Sequence, residues 1–167
     1  TKEDFFNLVN KIRESLPKVA ISTDIIVGFP GETKSEFQET LDAMEKIKFD
    51  SAYTFKYSSR PGTKAAEFGD HVKEYEKQRR LEEVLALQRK HTLYHNEKYI
   101  GNIEMVLVEK ESKKSKKQWA GRTDSNKWVV FDKSNVNIGD IIPIAISKIK
   151  GITLHGKVAN IQEMEAA

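Results

Sequence analysis

One stretch constrains this chain more than any other: Ser22-Thr23-Asp24-Ile25-Ile26-Val27-Gly28-Phe29-Pro30-Gly31-Glu32-Thr33. Ile25 to Val27 are β-branched and apolar with no polar alternation, the pattern of a strand covered on both faces. Pro30 has no backbone N–H and Gly31 tolerates positive φ, so the strand has to stop there. Thr33 followed by Glu36 makes a capping box, after which Phe37, Leu41 and Met44 share one helical stripe. A strand that passes through a glycine turn into a helix is half of a βαβ unit. In sheets built this way ligands sit at the carboxyl ends of the strands, where Gly28 to Glu32 fall. The same spacing also suits a plain connecting turn.

The neighbouring segments extend the unit. Asp4 is expected to cap a first helix whose apolar face is Phe5, Leu8, Val9, Ile12 and Leu16, with Pro17 ending it. Asp50 to Ser58 reads as a second strand with Tyr53, Phe55 and Tyr57 on one face. Helix, strand, helix, strand predicts parallel strands with right-handed connections. Two strands do not complete a sheet, and the chain opens on Thr1, so the expectation is a slice of a larger α/β layer with further strands upstream. Pro61-Gly62 signals a type II turn just after the second strand, which puts it beside the first glycine turn on one rim.

From Val72 to Tyr99 the sequence predicts a long charged helix suited to connecting two bodies, with the boundary near Ile100-Gly101. The period then becomes strand-like. Asn102 to Glu109, Gln118 to Thr123, Lys127 to Phe131, Ile141 to Ile149 and Ile152 to Ala159 are five short strands, as in a closed oligonucleotide-binding type of barrel.

Charge separates the two parts. Residues 1–98 carry 17 Lys/Arg and 17 Asp/Glu, a net of zero, whereas residues 99–162 carry 11 and 6, a net of +5. Basic charge gathered on the smaller part points to a polyanionic partner. Lys110, Lys113, Lys114, Lys116 and Lys117 crowd one expected inter-strand loop and suit phosphate contacts that carry no sequence information. Trp119 and Trp128 flank GRTDSN and are candidates either for stacking bases or for the core. The absence of cysteine excludes disulfides, cysteine-ligated zinc and an iron–sulfur cluster held by this segment. His91 and His95, at i and i+4, lack a metalloprotease carboxylate and read as surface or packing residues. No apolar run is long enough to cross a bilayer and no leader pattern is present, which predicts a cytoplasmic protein without membrane contact.

Residues 102–159, with GRTDSNKWVVF, Gly139-Asp140 and Leu154-His155-Gly156, resemble a TRAM domain, the small β-barrel attached to several tRNA-modifying enzymes. Residues 21–33 (ISTDIIVGFPGET) and 49–66 (FDSAYTFKYSSRPGTKAA) resemble the fifth and sixth strand segments of radical SAM tRNA methylthiotransferases, most closely the MiaB type. The fold class this implies is α/β plus all-β. Residues 1–70 would be the carboxyl-terminal slice of a partial (β/α) radical SAM barrel and 71–99 a connecting helix. Residues 100–162 would be a five-stranded OB-like TRAM barrel, with 163–167 a tail.

The resemblance further implies that the parent enzyme methylthiolates C2 of a modified adenosine beside the tRNA anticodon. That chemistry uses S-adenosylmethionine and two 4Fe-4S clusters, one of them held by a CxxxCxxC loop. This cysteine-free chain is expected to bind neither cluster, to hold no catalytic residue and to be inactive alone. Its partners would be tRNA and the upstream cluster-binding domains of the same protein.

In the family a G-x-I-x-G-x-x-E segment lies on the fifth strand, its isoleucine against the SAM adenine. Ile26 and Gly28 match, Asp24 replaces the first glycine, and Glu32 comes one residue late. Strand alternation puts Asp24, Ile26 and Gly28 on one face, where the Asp24 carboxylate would meet either a substrate or cofactor hydroxyl or amine, or an upstream residue in a structural salt bridge. Backbone groups near Tyr57 and Ser58 would approach adenine, with Arg60 to Gly62 shaping the rim. tRNA contacts are expected at Arg122, Thr123, Asn126 and Lys127, helped by Lys113, Lys114, Lys116 and Lys117. The rivals are a sister enzyme acting on threonylcarbamoyl-adenosine or a ribosomal protein, and a non-enzymatic RNA-binding module.

Overall fold

The structure is a computed structural model and describes residues 1–69 and 72–160. His71 and the expected tail at 163–167 lie outside the described residues. The chain divides into two compact units, Thr1–Thr92 and the part from Leu93 onward.

The first unit begins with α1 (Lys2–Ser15). Thr1 takes the capping position expected of Asp4: its hydroxyl accepts from the Asp4 N–H, and Asp4 is the third helical residue of the box. Both residue types cap well, but the reciprocal box needs the hydroxyl first and the carboxylate three residues on. The apolar face is also shifted. Val9 is buried and Phe6 packs beside it, whereas Phe5, Leu8 and Leu16 are exposed.

β1 (Ser22–Val27) and β2 (Ser51–Lys56) pair in parallel, with Asp24 opposite Tyr53 and Ile26 opposite Phe55. Between them runs α2 (Lys34–Ile47), opened by the expected Thr33–Glu36 box and closed by Lys48 in the left-handed region. A short α3 (Lys64–Glu67) and the long α4 (Glu74–Glu97) follow. The core gathers Val9, Ile25, Val27, Phe37, Met44, Ile47, Phe49 and Val84. Polar ties lace its border: Asp50 accepts from the Ile21 N–H at 3.0 Å, and Gln88 Nε2 donates to the Phe49 carbonyl at 2.9 Å. β1 is covered on one face only. Ile25 and Val27 point into the core, while Ile26 is 55% exposed. The unbroken β-branched run reflects a second face that is apolar and open, not a second layer within the described residues.

The second unit is a closed five-stranded barrel of β3 (Ile103–Ser112), β4 (Ser115–Thr123), β5 (Trp128–Asp132), β6 (Ile141–Lys150) and β7 (Thr153–Val158), in the order β3-β4-β5-β7-β6. β5 and β7 pair in parallel and the other neighbours antiparallel. Val106, Val108, Val129, Phe131, Ile144, Ile146 and Leu154 fill the interior. Two glycines let the strands close. A Cβ on Gly121 would stand 2.2 Å from the Leu107 carbonyl oxygen, and one on Gly156 would stand 2.3 Å from that of Ala145. The lysine-rich segment expected as a loop is a tight hairpin instead. β3 continues to Ser112 and β4 resumes at Ser115, leaving Lys113-Lys114 as the turn and Lys110, Lys116 and Lys117 on strands.

Candidate functional site

In the first unit the two glycine turns lie at the carboxyl ends of paired strands. The Tyr57 N–H donates to the Val27 carbonyl at 2.8 Å, and the Phe29 and Tyr57 rings meet edge to face at 5.2 Å. Phe29-Pro30-Gly31-Glu32 closes with Glu32 N–H donating to Phe29 at 2.9 Å, and Gly31 supplies φ +83°. Arg60-Pro61-Gly62-Thr63 closes the same way at 3.2 Å with φ +82° at Gly62. Both are type II turns with proline second and glycine third.

The first turn is anchored from α4. Glu32 Oε2 accepts from the Gly28 N–H at 2.6 Å and from the Arg80 guanidinium, which also donates to the Glu32 carbonyl at 3.0 Å. Arg80 is 3% exposed and bonds Glu76 as well, at 2.9 Å. Arg79 Nη2 also donates to Glu76, at 2.7 Å, and the hydrogen bonds from Arg79 first and Arg80 second hold the Glu76 carboxyl down at about 2.

The expected cofactor-facing residues separate into two settings. Asp24 and Ile26 lie on the open face, with exposed Tyr53 and Phe55 across the register. Gly28 leaves that face. Its φ of +73° breaks the alternation, and a Cβ there would come within 2.5 Å of the Lys77 side chain of α4. Gly28 thus admits the helix, a role that period-two counting does not reveal. Lys77 Nζ donates to the Tyr57 carbonyl at 3.4 Å and lies 5.4 Å from the centre of its ring. Tyr57 is half-buried, its hydroxyl enclosed with no hydrogen-bond partner among the described residues, and Ser58 is exposed. Elsewhere in this unit His91 is buried with Nε2 3.0 Å from Glu45, as a packing histidine should be.

On the barrel, the expected RNA-binding residues also divide. Lys113, Lys114, Lys116 and Lys117 are exposed. Arg122 bonds Asn126 at 2.7 Å, and Asn126 takes φ +60° to turn the chain. Thr123 and Lys127 are buried, contrary to the exposure a contact with tRNA needs. The Thr123 hydroxyl accepts from the Lys127 N–H at 3.1 Å, so this pair builds the turn that presents Arg122 and Asn126. Trp119 is half-buried and packs against the interior cluster, whereas Trp128, also half-buried, does not belong to it. Lys110 and Arg122 each lie 4.3 Å from the Trp128 ring centre, and Lys133 lies 4.4 Å from that of Trp119.

Between the lysine hairpin and the β5–β7 strands is a cavity of about 410 Å³. The pairing runs Lys110, Ala120, Val130, His155 and Lys148 as one row across all five strands. Ala120, Val130 and Trp128 supply apolar wall; Lys113, Lys114 and Lys150 stand around it. Burial, then the charges of Lys150, Lys148 and Lys114, push His155 below the ordinary histidine value. Sequence reasoning placed neither Lys150 nor His155 beside the lysine hairpin, where both line this cavity. Outward-facing Lys148 and Lys150 alternate along β6, but only the β5–β7–β6 order brings them to the hairpin.

Residues 97–159 match the TRAM domain family. The chain is 45% identical over 95% of its length to a protein of Acetivibrio thermocellus named tRNA-2-methylthio-N(6)-dimethylallyladenosine synthase. Proteins of the same name from Carboxydothermus hydrogenoformans and Flavobacterium johnsoniae are 46% and 41% identical over 93% and 98% of the chain. The chain is homologous to these synthases and carries a TRAM domain. It spans 33%, 36% and 34% of the three relatives' own lengths. No helix among the described residues is long and apolar enough to cross a membrane.

Proposed function

We propose that this chain is the tRNA-holding and cofactor-facing part of a cytoplasmic radical SAM enzyme that methylthiolates C2 of a dimethylallyl-type adenosine beside the anticodon. The observation that carries this reading is similarity running through both units in one order, 45% identity over 95% of the chain to a synthase of that name. The barrel and the lysines of its β3–β4 hairpin would grip tRNA phosphates and fix the molecule's register, leaving base choice to residues elsewhere. Residues 1–70 would serve the radical SAM part, 71–99 connect it, and 100–162 bind RNA.

Ile26 on the open face and the Tyr57–Ser58 backbone beside it would receive the adenosine of S-adenosylmethionine. The exposed apolar platform of Ile26 and Phe55 suits a flat aromatic ring. When bound, that cofactor would supply the methyl group. Iron–sulfur ligation does not fit these residues: the chain has no cysteine, and among the described residues no three His, Asp or Glu side chains gather as ligands. The clusters would belong to other domains of the same protein.

A chimera tests this directly. These 167 residues would replace the matching third of the Acetivibrio thermocellus relative in a strain lacking its own such enzyme. Digested tRNA is expected to contain 2-methylthio-adenosine by mass spectrometry. A chimera that folds, accumulates and binds S-adenosylmethionine but leaves the adenosine unmodified would overturn the assignment.

A further inference from the structure

We propose that the barrel cavity is a receptor for a single unpaired nucleotide of RNA, its base on the Ala120–Val130 floor and its phosphate between Lys114, Lys150 and His155. Resting on the tRNA assignment above, this names the form of RNA the site accepts. It also adds Lys150 and His155 to the contacts.

Three observations point there. The cavity, at about 410 Å³, has the size of small-ligand pockets and exceeds what a phosphate alone requires. A purely phosphate-gripping surface needs no recess and no apolar floor. Here Ala120 and Val130 sit side by side in the strand register, with Trp128 along the margin. In a duplex the bases are stacked and paired, so only the backbone is offered; a splayed base supplies the flat apolar face such a floor can cover. Lys110 and Arg122 already lie against the Trp128 ring, which makes that ring a wall of the recess more than a free stacking surface.

Lys114 and Lys150 line the cavity together with His155. Lys148 pairs with His155 and Lys150 with Thr153 across β6–β7, while Lys114 approaches from the β3–β4 turn. β5 contributes the neutral Val130 opposite His155. In the free chain burial first, and then the charges of Lys150, Lys148 and Lys114, disfavour a charged imidazole. A phosphate seated among them reverses the local field and favours proton uptake by His155. Binding of a single-stranded ligand therefore strengthens as pH falls toward the ordinary histidine range and below it.

The test uses the whole chain with two fluorescent probes, a single-stranded RNA hexamer and a blunt RNA duplex, at one fixed salt concentration. The Lys114→Ala/Lys150→Ala variant is expected to bind the hexamer about 10-fold more weakly and the duplex less than about 3-fold more weakly. His155→Gln, with its melting temperature checked, is expected to remove the pH dependence of hexamer affinity. Equal losses on both probes would make the cavity part of a diffuse basic surface and overturn the nucleotide receptor, while leaving tRNA binding intact. If the unaltered chain bound neither probe nor an anticodon stem-loop, the tRNA assignment itself would fall.

Discussion

Ile26 shows how little a residue's chemistry says about its role until its surroundings are known. It continues an apolar run, yet it faces outward where its neighbours Ile25 and Val27 face the core. An Ile26→Asp change removes no core contact, so the chain's thermal stability should move by no more than ~0.5 kcal/mol. In the chimera the same change is expected to weaken S-adenosylmethionine binding, read by equilibrium dialysis. A large drop in melting temperature would instead make Ile26 a structural residue. Thr123 and Lys127 make the opposite case. Their types suit RNA contact, but a turn that folds the lysine's backbone onto the threonine hydroxyl buries both. The turn spans only five residues, but nothing in the two residue types marks it as buried.

At the scale of elements, what local chemistry decides was legible and what closure decides was not. The Thr33–Glu36 box and both Pro-Gly turns depend on three or four consecutive residues, and each stands where its sequence signal put it. Five strands could likewise be counted from turn signals. The parallel β5–β7 pairing and the extension of β3 and β4 into a hairpin could not, because they depend on partners far along the chain. Gly121 and Gly156 belong to this second kind. Neither has positive φ, so nothing local demands glycine; the facing carbonyl oxygens do. Gly121→Ala or Gly156→Ala should cost about 1–3 kcal/mol by overpacking, measured as an earlier urea midpoint in tryptophan emission, since both tryptophans lie in the barrel. A midpoint unchanged in both variants would show that the strands can spread there at no cost.

For the whole molecule, acid reveals which ties matter. Hydrogen bonds from His91 and then Lys90 lower Glu45 to about 2, and Arg79 and Arg80 do the same for Glu76. A carboxylate whose folded value lies below its unfolded value contributes fully above the unfolded value. That contribution is lost as pH falls through the folded one. The first unit should therefore weaken between about pH 4.5 and pH 2, seen as declining far-UV ellipticity and a falling melting temperature. Constant stability across that window would show that these pairs contribute nothing.

The uncovered side of the β1–β2 pair has a practical corollary. Ile26, Tyr53 and Phe55 all meet water there. Prepared on its own, the chain carries a greasy wall that dilution tolerates and concentration punishes. Handling it at the strengths that crystallisation or magnetic resonance demands calls for an additive, or a soluble mate, that keeps one copy's wall from finding another's.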